Sequence, residues 1–311
     1  MKLCTTETFH RKVRLGLARY LAVCTASAIL FLISRPSSLA AGPQAFSIKV
    51  ITSLDDQFWT NSVIIEGTHE VMLVDAQLTK TNAERVLQEI AKTHKPLSII
   101  FITHEHADHF LGLEVFKEAY PKVRVVATSA VVERIAQVYQ EKIAKWKQLL
   151  GSGATSRAVA IGQFDGPVIT FENSQITVLK NIQGDTDENT MLWIPEQRIL
   201  IAGDVVFNNM HVYTAETDSK ARGRWLNSLK TIRELHPSIV VPGHSKVGAP
   251  LDGSTAVDFT ESYLLAFEEE LTEARDPDGL INAMKKRFPS AELLLALERG
   301  AMANVEPDKK K

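Results

Sequence analysis

The segment Thr103-His104-Glu105-His106-Ala107-Asp108-His109 sets three imidazoles and an aspartate within the six residues 104–109. Histidine and carboxylate donors at that density are what a divalent cation requires, and a soluble loop has little other reason to collect them. In an extended or tightly turned backbone His104 and His106 project to one side, while Asp108 and His109 reach a second point beside it. The string follows Leu97–Ile102, a short apolar run that reads as a buried strand, so a strand end positions the donors. No Gly-x-Ser-x-Gly elbow and no phosphate-cradling glycine loop occurs in residues 41–311. Both cysteines, Cys4 and Cys24, lie near the N-terminus, which excludes a thiol nucleophile and any thiolate ligand from the rest of the chain.

The elements around this loop read as strands and helices, then again strands and helices. Phe46–Thr52, Ser62–Glu66 and Glu70–Val74 alternate around a Gly67-Thr68 turn, as an opening antiparallel meander. Thr81 is placed to cap a helix through Thr93, and helices are predicted near Phe110–Ala119 and from Val131 to Leu150. Strands are predicted at Val123–Ala127, Val168–Phe171, Gln175–Leu179, Thr190–Ile194, Ile199–Ala202 and Ser238–Val241, with a helix near Ala221–Leu235. Residues 254–303 read as two or three helices punctuated by Pro277 and Pro289. No Pro/Ser-rich linker separates the halves, so the expectation is one domain, 41–311, of two sheets layered between helices.

The chain resembles the metallo-β-lactamase-fold hydrolases, whose signature is a His-x-His-x-Asp-His string after a strand. Three more stretches follow the family pattern in order: Met72-Leu73-Val74-Asp75, Ile201-Ala202-Gly203-Asp204 and Val241-Pro242-Gly243-His244. The resemblance implies an α/β fold, a four-layer αββα sandwich of two mixed β-sheets flanked by helices. It implies that His104 and His106 hold a first metal, that Asp108, His109 and His244 hold a second, and that Asp204 bridges them. Asp75 would stand behind the ligands and orient them. One position departs from the family: in Gly184-Asp185-Thr186-Asp187-Glu188-Asn189, Asp185 stands where a third histidine of the first metal is usual. A carboxylate is a harder ligand, acceptable to zinc but also to manganese or iron. Asp187 is the alternative if the loop is reset by two residues, and a weakened first site is the other reading.

Two divalent metal ions, zinc first among them, would lower the pKa of a shared water and so supply a hydroxide, with Asp108 orienting it and relaying its proton. Hydrolysis is therefore the expected chemistry. The Asp204 bridge resembles the glyoxalase II, lactonase and phosphotriesterase branches more than true β-lactamases, and the thiolate-bearing β-lactamases are excluded by the cysteine count. The expected substrate is a small molecule with an ester or lactone bond; β-lactam or phosphoester hydrolysis, and a non-catalytic metal-binding protein, are the alternatives. His211 and Tyr213, in the loop after Asp204, are candidate substrate contacts. Phe58 and Trp59 read equally as core or substrate wall.

Lys2, Arg11, Lys12, Arg14 and Arg19 precede an apolar run of 14 residues, Tyr20–Ile33, and a small-residue stretch follows at Ser37-Ser38-Leu39-Ala40-Ala41. This is the pattern of a cleavable signal peptide, residues 1–40, and the run is shorter than the roughly 20 residues of a spanning helix. The expected destination is periplasmic or secreted, with no stable membrane insertion after cleavage. Without the leader 29 basic residues face 36 acidic ones, a net charge of −7 with no basic patch, which argues against nucleic acid as partner.

Overall fold

The computed structural model describes residues 45–53 and 57–305; the expected signal peptide and cleavage site and the tail from Glu306 lie outside the described residues. The chain order is β1 (Ser47–Thr52), β2 (Asn61–Glu66), β3 (Val71–Val74), α1 (Lys80–Ala91), β4 (Leu97–Phe101), α2 (Ala107–Phe110), α3 (Leu113–Ala119), β5 (Arg124–Ala127), α4 (Ser129–Leu150), β6 (Gly162–Gln163), β7 (Val168–Phe171), β8 (Ser174–Ile182), β9 (Asn189–Ile194), β10 (Ile199–Asn208), α5 (Ser219–Glu234), β11 (Ile239–Ser245), α6 (Thr255–Glu273), α7 (Pro277–Arg287) and α8 (Leu294–Asn304).

Two mixed sheets form, β1-β2-β3-β4-β5-β6 and β11-β10-β9-β8-β7. In the first, β1, β2 and β3 pair antiparallel, the expected meander, and β3 to β6 run parallel. In the second, only β10 and β11 are parallel. The period-2 alternation of strand side chains sorts the core into three layers. Val63, Ile65, Met72, Val74, Ile99 and Phe101 meet Ile176, Leu192, Ile194, Ile199 and Ile201 between the sheets. Their alternates Ile64, Leu73 and Ile100 face outward onto apolar residues of α1, α3 and α4. On the other side Met191, Trp193, Leu200 and Ala202 face Trp225, Leu229, Tyr263 and Phe267 of α5 and α6. The αββα layering therefore follows from strands that are apolar on both faces.

Three expectations shift. The cap of α1 is Thr79, whose side chain accepts from Asn82 N, and Thr81 lies inside the helix. The helix expected near Phe110 divides into α2 and α3, with Gly112 as the N-cap of α3. Strands β10 and β11 run on through Gly203 and Pro242-Gly243, where the pairing register shifts instead of ending. Among the described residues no helix is long and apolar enough to cross a membrane.

Candidate metal centre

The donors gather at the seam between the two sheets. One backbone and one side-chain hydrogen bond close it: Thr190 N donates to Thr103 O over 3.0 Å, and the Asn61 side-chain Nδ2 donates to Pro242 O over 3.0 Å. After β4 the chain bends at His104 and is extended at His106, and α2 starts at Ala107, so Asp108 and His109 swing to a second point. Asp204 and His244 come from β10 and β11. Close approach of these strands needs glycine: a Cβ on Gly243 would stand 1.8 Å from Asp204 Oδ1, and Gly203 adopts a φ of +52°.

Two donor groups result, His104, His106, Asp185 and Asp204, and Asp108, His109 and His244; within each, the ligand atoms lie within 4.8 Å of one another. Asp204 reaches both: its Oδ2 is 2.9 Å from His244 Nε2 and 3.7 Å from His104 Nε2, and its Oδ1 is 3.2 Å from His109 Nε2. Asp185 Oδ2 is 2.8 Å from His106 Nδ1 and 3.9 Å from His104 Nε2. Asp187 points elsewhere, pairing with Arg224 at 3.1 Å, so the loop is not reset by two residues.

Each imidazole is oriented from behind. His109 Nδ1–H donates to Asp75 Oδ2 at 2.8 Å, and Asp75 also accepts from the Thr103 backbone N–H at 2.9 Å and from the Thr103 hydroxyl at 2.8 Å. Thr103 Oγ1 lies 3.0 Å from His104 Nδ1. His244 Nδ1–H donates to Phe58 O at 2.7 Å. His106 is turned the other way, with Nε2 against Glu216 Oε1 at 3.2 Å. With these outer nitrogens carrying the protons, the inner nitrogens present lone pairs towards carboxylates, an arrangement that needs a proton or a cation between them. His104 Nε2, His109 Nε2, Asp185 Oδ2 and Asp204 Oδ1 are buried and lack any hydrogen-bond partner. A buried polar atom left so costs about 1–3 kcal/mol, and four of them around one space fit divalent cations.

The electrostatics carry the same tension. Burial lowers His104 well below the usual imidazole range, and His109 adds to it. Against burial, Asp204, Asp108 and Asp75 hold His109 well above that range, and Asp185 does the same for His106. Burial pushes the Asp185 carboxyl up, whereas His244, His109 and His104 overcome burial to hold Asp204 well below the carboxylate range.

The cluster opens into a cavity of about 440 Å³ whose lining includes His106, Asp108, Asp185, Asp204 and His244 together with Tyr213 and Glu216. Tyr213 thus lies where the sequence suggested, its ring edge-on to His106 at 5.2 Å. His211 does not: it is buried, with Nδ1 3.0 Å from Tyr263 Oη, so the expectation of a substrate contact is corrected to a core one. Phe58 lines the cavity, while Trp59 packs on the outer core of the second sheet. Phe58 and Trp59 take φ values of +75° and +54°, conformations costly for bulky residues, and their carbonyls accept from His244 Nδ1 and Ser245 N. Sequence reading missed Glu216 and Thr60, whose hydroxyl donates to Asp108 Oδ2 at 2.6 Å. Nothing in their local pattern marks them, because only the fold brings them to the histidines.

Residues 56–244 match the family model of the metallo-beta-lactamase superfamily. The chain is 22% identical over 192 residues to a metallo-beta-lactamase type 2 of Bacillus sp. (strain 170), covering 61% of this chain and 68% of that one. It is 23% identical over 220 residues to a hydroxyacylglutathione hydrolase of Francisella tularensis subsp. holarctica, covering 70% and 77%. In fold it is similar to a metallo-beta-lactamase family protein from Thermus thermophilus, with a TM-score of 0.58, 21% identity and coverage of 81% and 91%. A matching fold, an extended family match and a histidine–aspartate cluster built for divalent cations agree: the chain belongs to the metallo-beta-lactamase superfamily of metal-dependent hydrolases.

Proposed function

We propose that this protein is an exported metal-dependent hydrolase that opens an ester or lactone bond of a small molecule. The observation that carries the reading is the meeting of both donor groups at Asp204, with Asp108 lining the cavity beside them. Divalent cations bound there would supply Lewis acidity, activating water and polarising the bond to be cleaved. The mixed nitrogen and oxygen donors suit zinc, with manganese or iron also accommodated.

The chain's own side chains supply orientation and proton handling. Asp108 is fixed by the Thr60 hydroxyl and can take a proton from the attacking water and return it to the leaving group. Burial, with Glu216 adding to it, raises the Tyr213 phenol, so Tyr213 stays a donor at neutral pH and can hydrogen-bond an oxygen of the substrate. Glu216 holds His106 in place. Phe58 and Trp146, edge to face at 5.7 Å, form an apolar wall that sheds water from one side of the cavity.

The deciding experiment is metal analysis of purified protein followed by a panel of chromogenic lactone, carboxyl ester, phosphoester and β-lactam substrates. Two metals per chain with lactone or ester turnover support the reading, and an Asp108→Asn variant should lose about 100-fold or more in kcat while keeping its circular dichroism. A chain that turns over no member of the panel overturns it. Export is tested by expressing the full chain and finding the protein, shortened at its N-terminus, outside the cytoplasm.

A further inference from the structure

The walls of the cavity above the donors are two helix faces of unusual composition. On α4, Val138, Lys142, Lys145 and Leu149 recur at helical spacing and all line the cavity, with Glu141 and Trp146 beside them. Opposite them stand Leu295 and Arg299, one turn apart on α8. Each wall therefore combines an apolar surface with a cation.

Neither component is accounted for by the fold. Leu149 is 63% exposed and Leu295 43%, and they are two of the six large apolar side chains exposed among the described residues. Lys145 and Arg299 form no ion pair among the described residues, whereas Arg157, Arg233 and Arg287 elsewhere on the surface are paired. Lys145 Nζ instead lies 5.9 Å from the centroid of the Trp146 ring. Of the acids on the lining, Glu216 is engaged by His106 and Asp108 by Thr60, Asp185 and Asp204 belong to the donor groups, and Glu141 stands on α4 beside the lysines without an ion pair among the described residues. Apolar side chains exposed around a concave site, with cations outside any ion pair among them, form a surface complementary to an anion carrying hydrocarbon.

We propose that the cavity selects anionic amphiphiles: substrates whose scissile bond lies at the Asp108 floor, whose apolar portion packs on Phe58, Trp146, Leu149 and Leu295, and whose anionic group is met by Lys145 and Arg299. The proposal rests on the hydrolase reading and names the substrate class for it. Recognition is shared between hydrocarbon and charge, so a small anion without a chain and a neutral chain without an anion each satisfy only half of the site.

The test uses probes that cannot be hydrolysed. Calorimetric titration of the metal-loaded protein with 1-octanesulfonate should show binding at least tenfold tighter than with methanesulfonate, octyl glucoside or octyltrimethylammonium. Lys145→Gln/Arg299→Gln should lose at least tenfold for octanesulfonate and leave octyl glucoside unchanged, while Trp146→Ala should weaken both chains. Arg287→Gln, on α7, serves as a charge control and should bind like wild type. Equal affinity for the anionic, neutral and cationic chains, or a double variant that binds as wild type, overturns the proposal. Turnover of phenyl acetate reports separately on the hydrolase reading: turnover that octanesulfonate does not inhibit competitively sinks the amphiphile and leaves the hydrolase standing.

Discussion

Asp185 Oδ2 stands 2.8 Å from His106 Nδ1, at the position where the family usually places a histidine. The carboxylate is fully buried, and Asn189 Nδ2 donates to its other oxygen at 3.1 Å, so it is held as a donor in the first group. Replacing it by asparagine keeps the shape and removes the charge. Asp185→Asn should weaken binding of the first cation by about tenfold or more, the scale of one lost charge-assisted contact, and leave the second site nearly unchanged. Metal analysis after dialysis against graded chelator would show the stoichiometry dropping from two towards one; two metals retained at every chelator level would remove Asp185 from the ligand set.

Asp75 gathers three donors, and its bond to His109 Nδ1–H aims the opposite nitrogen at Asp204. Asp75→Asn turns an acceptor of three hydrogen bonds into a group that must present N–H to at least one donor. The expected loss is about 10–100-fold in metal affinity, the usual scale for a partner standing behind a ligand. Competition with a chromophoric chelator measures it.

Gly243 is irreplaceable on steric grounds. A methyl group there would meet Asp204 Oδ1 at 1.8 Å and the Gly203 carbonyl oxygen at 2.9 Å. Gly243→Ala should cost about 1–3 kcal/mol of stability by overpacking and also displace the carboxylate shared by both donor groups. Urea unfolding and metal stoichiometry should therefore fail together, and a variant of lower stability that keeps both metals would show Asp204 to be less central than its position suggests.

His211 offers a pH test away from the metal donors. Burial, with Lys285 adding to it, lowers its pKa from 6.5 to about 4. The unfolded chain then binds a proton that the folded chain refuses between those two values, so stability is full above about pH 6.5 and falls as the pH drops towards 4. The contribution lost between pH 7 and pH 5 is about 2 kcal/mol, from the size of the shift. Unfolding curves of wild type and His211→Gln at the two pH values isolate it: the difference between the proteins should shrink or reverse at pH 5.

The parts of the site that were legible in the sequence are those where donors stand close together or follow a strand. His104, His106, Asp108 and His109 share one loop, and Asp204 and His244 follow apolar runs through glycine turns. The αββα layering was legible from strands apolar on both faces. His211 misled because proximity to Asp204 along the chain says nothing about side-chain direction: the loop bonds back to Glu292 O through His211 N, which turns the ring towards Tyr263. The extent of β10 and β11 was also hidden, since Gly203 and Pro242-Gly243 read as strand ends. Glycine removes the steric bar to close approach, and the parallel pair continues past it by shifting register.

The placement of the donors at the seam has a consequence for assembly. His104 to His109 belong to the half of the chain that builds the first sheet, Asp204 and His244 to the half that builds the second, and Asp204 and His244 are themselves 40 residues apart in sequence. Neither half can present a complete donor set while the other is unfolded. A cation that enters only the finished arrangement acts as a clasp across the sandwich, so the free cation concentration of the compartment in which the chain folds becomes a determinant of how long the two halves stay together.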